Sequence, residues 1–410
     1  MRAPHARPSC LRTATSAAAI AVGLVAPAAN AQTRAAIEVS AGATAATNPY
    51  LLSGPGTATG GADLKLSPSV LVQSADAVVK LRGSVELERF FDRYGLDESV
   101  ALGASGEHRI DQRTTVGANV DFRSSKSASN RFALSTEGAD IVPGQFPETP
   151  EIDPTLASAP GRTRRVSVNA SLTHQLSAKS TFAASAGLGL TRVEATSGAD
   201  YRNENVTLTF TRLLSETTSA VISLEGGYAD YLGQRSGDGF FATSLAGIDH
   251  RLAPLLHLSV QIGTSVVSVD GPAAGHHTTM SLAGNFDLCR DDAMGSICLT
   301  GSRSARPTSF GGLTSVSSLR LAYSRATGPH GRLSLSGSFT RSDRSMGALP
   351  ISEIRHSQFL NVSGTYRQQI GDRISGFVTP SFISIKDGSS GRRTNLQILI
   401  GVSRKFGNPT

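Results

Sequence analysis

The sequence predicts an all-β chain: a transmembrane antiparallel up-and-down β-barrel of about 18 strands, with 16 as the alternative count. Three observations predict it. The N-terminus reads as an export signal, the rest of the chain alternates apolar and polar residues with period two, and the connections alternate between short and long. The composition agrees. Aromatic residues make up 6% of the 410 residues and charged residues 17%, and there is no Trp. A helical enzyme of this length carries more Leu, Glu and Lys. After the N-terminus no apolar run reaches the ~18 residues of a helical membrane span.

Residues 1–31 read as a secretory signal peptide. Arg2, Arg7 and Arg12 form the positive region, Ala17 to Ala28 the apolar one, and Ala29-Asn30-Ala31 the cleavage triplet. The alternative, a short membrane anchor, needs a longer apolar stretch. The formal charge of +7 falls by three when those arginines leave. The remaining chain has no basic run, so nucleic acid is not an expected partner. Cys10 leaves with the leader. Cys289 and Cys298 remain, and in an exported chain their simplest state is a disulfide at the base of a hairpin. A metal site needs more ligands than that segment offers.

Residues 32–410 read as strands. In the segment from Val79, the apolar or small Leu81, Gly83, Val85 and Leu87 alternate with Lys80, Arg82, Ser84, Glu86 and Glu88. The segments at Val166–Leu172, Val206–Phe210 and Leu333–Phe339 repeat the pattern. At the C-terminus Leu396, Ile398, Ile400, Val402, Arg404 and Phe406 share one face, opposite Asn395, Gln397 and Ser403. Short connections, such as Ser74-Ala75-Asp76 and Gly371-Asp372-Arg373, are expected in the periplasm. Long ones, such as 48–61, 125–161, 270–277 and 341–355, are expected outside. Strands of ~9–11 residues suffice for a tilted crossing. The regions 310–324 and 194–201 leave the strand count between 16 and 18. In this topology the Cys pair falls on a periplasmic connection, where oxidation is available. A β-sandwich of this length needs linkers between several domains, and a solenoid needs a fixed repeat; neither feature occurs.

Tyr50, Phe90, Phe91, Tyr94, Tyr228, Tyr231, Phe240 and Phe241 cluster at predicted strand ends. They are the candidates for the membrane-interface girdle, with ordinary barrel packing as the alternative. Phe406 sits in the last strand, before Gly407-Asn408-Pro409-Thr410.

The opening segment carries a resemblance. Val39-Ser40-Ala41-Gly42, Thr47-Asn48-Pro49-Tyr50-Leu51, Leu66-Ser67-Pro68-Ser69-Val70 and Leu87-Glu88-Arg89-Phe90 together resemble the start of the β-barrel porin family found beside exopolysaccharide genes. The resemblance is clearest over the first hundred residues. It implies an outer-membrane barrel linked to secretion or assembly of a surface polysaccharide, and it supplies no catalytic residues. The expected partners are outer-membrane lipid and lipopolysaccharide, the barrel assembly machinery (which reads a terminal aromatic such as Phe406) and polysaccharide export components. The expected location is the outer membrane of a Gram-negative-type bacterium.

No nucleophile elbow, zinc-protease motif or phosphate-binding loop occurs. No cofactor and no enzyme activity are expected. The alternatives to an export channel are a general diffusion porin and an outer-membrane hydrolase. The hydrolase would need Ser, His and a polar orienting group together at the lipid edge. His276 and His277 are adjacent and read as solvated loop residues. Candidate chemistry therefore lies in the pore. Alternation turns Lys80, Arg82, Glu86 and Glu88 to the lumen, and Arg123 and Arg165 join them on or near strands, beside Arg162 and Arg164. Loop 125–161 carries Glu137, Asp140, Glu148, Glu151 and Asp153. Folded inward, it would set an acidic row against those cations. The alternative is a solvated loop, which its five prolines suit equally well.

Overall fold

A computed structural model describes residues 32–52, 56–92, 94–126, 161–194, 200–232, 238–271, 275–307, 312–343, 357–387 and 391–407. Eighteen strands form one closed sheet. In chain order they are β1 (Gln32–Ala46), β2 (Thr59–Gln73), β3 (Ala77–Phe90), β4 (Gly95–Arg109), β5 (Thr114–Ser125) and β6 (Thr163–Ser177). Next come β7 (Ser180–Val193), β8 (Asp200–Leu213), β9 (Thr218–Leu232), β10 (Gly239–Ala253), β11 (Leu256–Gly271) and β12 (Gly275–Asp292). The last six are β13 (Gly295–Pro307), β14 (Leu313–Ala326), β15 (Gly331–Ser342), β16 (Ser357–Gln369), β17 (Ile374–Asp387) and β18 (Gly391–Gly407). Each strand pairs antiparallel with its neighbours in sequence. The wall closes where β1 meets β18, from Ala36↔Gly407 to Ala46↔Gln397. The expected count of 18 holds. Of region 310–324, residues 313–324 lie on β14, and of region 194–201, Asp200 and Tyr201 open β8.

Strands of 12 to 18 residues exceed the expected crossing length. A tilted crossing consumes about ten residues, so the excess rises beyond the lipid. That excess moves two expected boundaries. β11 and β12 continue through Asp270, His276 and His277, so these residues lie on paired strands and not in a loop. β5 ends at Ser125 and β6 begins at Thr163, and residues 127–160 between them lie outside the described residues.

Alternation decides the faces. On β3, Leu87 is 38% exposed on the isolated barrel and its neighbour Glu88 is 2% exposed. The leucine face meets lipid and the glutamate face turns inward. Leu64, Leu102, Leu188, Leu208, Leu224, Ile262, Leu321, Ile398 and Ile400 continue the outer band. Lipid burial of each such side chain contributes about 1.5–3 kcal/mol. The short turns are built on side-chain caps. The Asp111 carboxylate accepts the Arg113 N–H at 2.7 Å, and Asp292 accepts from Met294 and Gly295, each at 2.8 Å. The Arg113 N–H first, then the Thr114 hydroxyl, hold the Asp111 carboxyl below the ordinary aspartate range.

Two prolines lie inside strands of this wall, where an absent N–H breaks a ladder. Both breaks have the same form. Pro68 pairs in register with Ile37 on β1, while the β2–β3 ladder skips the pair it forms with Gly83. Pro380 pairs with Ile398 on β18, while the β16–β17 ladder skips Gly364 opposite it. At Pro68 the facing glycine leaves room for the ring. A Cβ on Gly83 would stand 3.1 Å from Pro68 Cγ.

One seam is parted. β12 and β13 pair from Asp292↔Gly295 only as far as Gly284↔Arg303. Beyond that point β12 continues on β11 alone, and β13 on β14 alone, to Gly271↔Gly275 and Pro307↔Leu313. The upper end of the β13–β14 hairpin turns inside the wall. Ile297 and Ala305 share a face of β13, yet Ile297 is 43% exposed and Ala305 1%. Ala305 and Leu313 instead pack on Tyr201, Ala229, Tyr231, Phe241, Val267 and Val269, the inward residues of β8–β11. Arg306 reaches Glu225 at 2.7 Å, and the Tyr231 hydroxyl donates to the Gly312 carbonyl at 2.6 Å.

Cys289 and Cys298 are register partners joined by a disulfide at the short-turn end of β12–β13. Removal of either should therefore leave barrel formation intact, because the ladder already fixes the pair. Unfolded wild-type protein should show no free thiol to a maleimide reagent unless it is first reduced. Separately, Gly83→Leu should lower the temperature at which the folded band is lost in heat-modifiability gels, through the clash with Pro68.

Candidate functional site: the outer mouth of the lumen

The first outer connection tucks into the barrel. Thr47 donates its N–H to the Leu396 carbonyl at 3.0 Å, and Asn48 N–H donates to Asn395 Oδ1 at 2.8 Å. The Asn48 side chain closes the turn: Oδ1 accepts the Leu52 N–H at 3.0 Å, and Nδ2 donates to the Leu52 carbonyl at 3.1 Å. Leu51, at φ 49°, occupies left-handed space that costs a branched side chain about 1–2 kcal/mol. Its burial against Phe359, Ile383 and Ile385 offsets that cost. The Arg393 guanidinium donates to the Leu51 carbonyl at 3.0 Å.

Tyr50 belongs to this hook and not to an interface girdle. Its ring stacks on Tyr94 at 5.3 Å and meets Phe90 edge-on at 6.2 Å. Burial, then the charges of Asp97 and Glu88, raise the Tyr50 hydroxyl above the ordinary tyrosine range. Among the other girdle candidates, Phe91, Tyr228 and Phe240 are exposed on the outer face, while Phe90, Tyr231 and Phe241 are buried. Neighbouring aromatics, such as Phe240 and Phe241, cannot both face lipid on one strand. The hook and the inward β13–β14 tip thus narrow the outer mouth from two sides.

Beneath the hook lie charged side chains of both signs. Asp63 on β2, Glu86 and Glu88 on β3, and Asp97 on β4 form an acidic patch. Glu88 is the register partner of both Asp63 and Asp97. Like charges set opposite one another are destabilising on a sheet. Here Lys65 reaches Glu86 at 3.8 Å, and Gln397 donates to Glu88 at 2.9 Å and to Thr44 at 3.1 Å. Arg123 on β5 and Arg165 on β6 are likewise register partners. Asp121 and Arg82 lie within electrostatic reach of Arg123. Arg162 bridges toward β4, with Glu98 at 3.6 Å and the Ser124 hydroxyl at 3.2 Å. Arg164 pairs with Glu194 at 2.6 Å.

The structure therefore brings Glu86 and Glu88 together with Asp63 and Asp97, which the sequence reading omits although they alternate with Leu64 and Leu96. It brings Arg123 to Arg165 with Arg82 nearby, and leaves Lys80 exposed toward the short-turn end. Acidic and basic groups sit side by side on β2–β6. Glu137, Asp140, Glu148, Glu151 and Asp153 lie outside the described residues, as do residues 1–31. Among the described residues no group of His, Cys, Asp and Glu has the arrangement of a metal site.

No family model matches the chain, and no curated protein matches it. Its barrel is similar to solved outer-membrane structures. The FrpB iron transporter of Neisseria meningitidis (F5-1 variant) aligns with a TM-score of 0.47 at 8% identity, over 92% of this chain and 83% of that one. OccK5 (OpdH) of Pseudomonas aeruginosa aligns at 0.43 and 12% identity, over 92% and 99%. A mutant (Q482A) of the ferric enterobactin receptor PfeA from Pseudomonas aeruginosa aligns at 0.44 and 8%, over 90% and 81%. The likeness concerns the barrel alone. The closed wall and its continuous apolar outer band make this an outer-membrane β-barrel protein.

Asn48→Ala should release the hook by removing its turn-closing amide, at a cost of about 1–3 kcal/mol. The expected result is a larger and noisier single-channel conductance in planar bilayers, with folded barrel retained on gels.

Proposed function

We propose that this barrel is a channel for polar solutes that takes part in exopolysaccharide production, with no chemistry performed in its lumen. The observation that carries the channel reading is the inward face of β2–β6. It carries acidic and basic groups side by side within a wall of 18 strands, a size at which barrels enclose aqueous space. Adjacent acidic and basic patches set a field along the wall, which orients dipolar, hydroxyl-rich solutes as they pass. The polysaccharide link is favoured by one further observation. The residues that resemble the exopolysaccharide-associated porins, Thr47–Leu51, Leu66–Val70 and Leu87–Phe90, belong to the hook and to the two strands beside it. In this reading residues 1–31 are the cleaved leader, the assembly machinery reads Phe406, and export components join the barrel in the membrane. The pore-lining set is Lys80, Arg82, Glu86, Glu88, Arg123 and Arg165, with loop 125–161 contributing acids at the entrance. A general diffusion porin is the second reading, favoured by the same charged lumen.

Purified protein in planar bilayers should give ohmic steps; silence would remove the open-channel reading. Replacing Arg123 and Arg165 by Ala should move the reversal potential toward cation selectivity, and Glu86→Gln with Glu88→Gln the opposite way. Deleting the gene should reduce the mass of secreted polysaccharide. Unchanged yield and chain length would leave the diffusion porin.

A further inference from the structure

A second site stands on the opposite side of the wall, on the outer face of the β11–β12 hairpin. Ser268 and Asp270 are two apart on β11, so they share a face, and the register sets them against Thr278 and His276 on β12. The side chains connect. Ser268 Oγ lies 3.1 Å from His276 Nε2, and His276 Nδ1 lies 2.8 Å from Asp270 Oδ1. With its proton on Nδ1, the imidazole donates to the carboxylate and accepts from the serine. That is the nucleophile, base and orienting acid of acyl transfer, at the distances such chemistry uses. Thr278 Oγ1 donates to Ser268 Oγ at 3.3 Å and stands 3.4 Å from His276 Nε2.

The surroundings point to the substrate. On β12 the face that carries His276 and Thr278 continues into Met280 and Leu282, both strongly exposed. In register across the wall, Ser268 neighbours Phe240, and Phe240 neighbours Tyr228, two outward aromatics near the rim. Aromatics in this position mark the headgroup level of a membrane. Two residues toward the short-turn side lies a groove of about 350 Å³ on the same outer face. Gly226, Ala242 and Thr264 form its floor, and Val206, Leu224 and Val266 flank it. The groove reaches Val266, two residues before Ser268 on the same face of β11.

We infer that Ser268, His276 and Asp270 form a hydrolytic site for the O-acyl esters of outer-leaflet amphiphiles. Ser268 Oγ attacks the ester carbonyl carbon as its proton passes to His276 Nε2. The acyl–oxygen bond breaks, and the departing alcohol takes that proton. Water, deprotonated by His276 Nε2, then attacks the acyl-serine carbonyl; the Ser268 Oγ–acyl bond breaks, Oγ takes the proton back from His276, and a fatty acid leaves. Asp270 holds the imidazole in the tautomer that both steps require. The site is independent of whether the lumen conducts.

The test uses full-length protein in detergent micelles with p-nitrophenyl palmitate, and in vesicles of phosphatidylethanolamine or aggregates of lipopolysaccharide with released fatty acid measured. Wild type should hydrolyse the palmitoyl ester, and Ser268→Ala and His276→Asn should each lower the rate about a thousandfold or more. A fluorophosphonate should label wild type once and Ser268→Ala not at all. Release from one lipid source, lost in Ser268→Ala, identifies that source. Equal rates in wild type and Ser268→Ala overturn the site. Ser268-dependent hydrolysis of the nitrophenyl ester alone, with no release from either lipid, overturns the lipid assignment. Unchanged heat-modifiability and conductance of both variants show that the barrel itself is intact.

Discussion

In hydrocarbon every backbone N–H and C=O needs a partner within the protein, and the seam between β1 and β18 is where this chain meets that demand. Without that seam the first and last strands would each present an open edge to lipid. Much else in the fold is what the closed ladder permits. Side chains have only two directions, so leucines and isoleucines take the outer one and charges the inner. Pro68 and Pro380, which cannot donate, each stay in register with one neighbouring strand and break the ladder only on the other side, opposite a glycine. The ladder gives way between β12 and β13, and there the freed tip of β13–β14 finds new partners inside the barrel, in Phe241, Val267 and Val269.

This explains what sequence reading could and could not reach. Period two identifies strands and faces, so the strand count and the inward turn of Glu86 and Glu88 are legible, while the Cys289–Cys298 pairing is legible from the cysteine count. Depth is another matter. Nothing in the alternation distinguishes Lys80, exposed in the lumen, from Glu88, sealed beneath the hook, since both are inward on one strand. Tyr50 looked like a girdle aromatic because it stands next to a strand end. Whether a loop turns outward or inward depends on partners such as Asn395 and Arg393, which lie some 345 positions away along the chain. Asp63 and Asp97 were readable in principle, being polar residues in leucine-rich alternation.

The Ser268, Asp270 and His276 grouping escapes motif searches for a related reason. Motifs record spacing along one segment, whereas a barrel brings chemistry together across a hairpin. Ser-x-Asp on one strand and His-x-Thr on the next become one constellation only when the register is known, and the register depends on where β11 ends. An outward and an inward site also do not compete. They share a sheet one strand thick, and each uses alternate residues of it.

The hook has a consequence for the order of events in folding. Its bonds run from Thr47 and Asn48 to Leu396 and Asn395, and from Leu51 to Arg393. They link the first connection of the chain to the strand made last. None of them can form until the rest of the wall is complete and β18 has come round to β1, and contacts of such long range are the slow ones. The hook is therefore a late structure, a latch that drops only on a finished circle. While β1 still lacks β18, the outer mouth stays without this cover, and a stalled barrel differs from a mature one at the very residues that line its entrance.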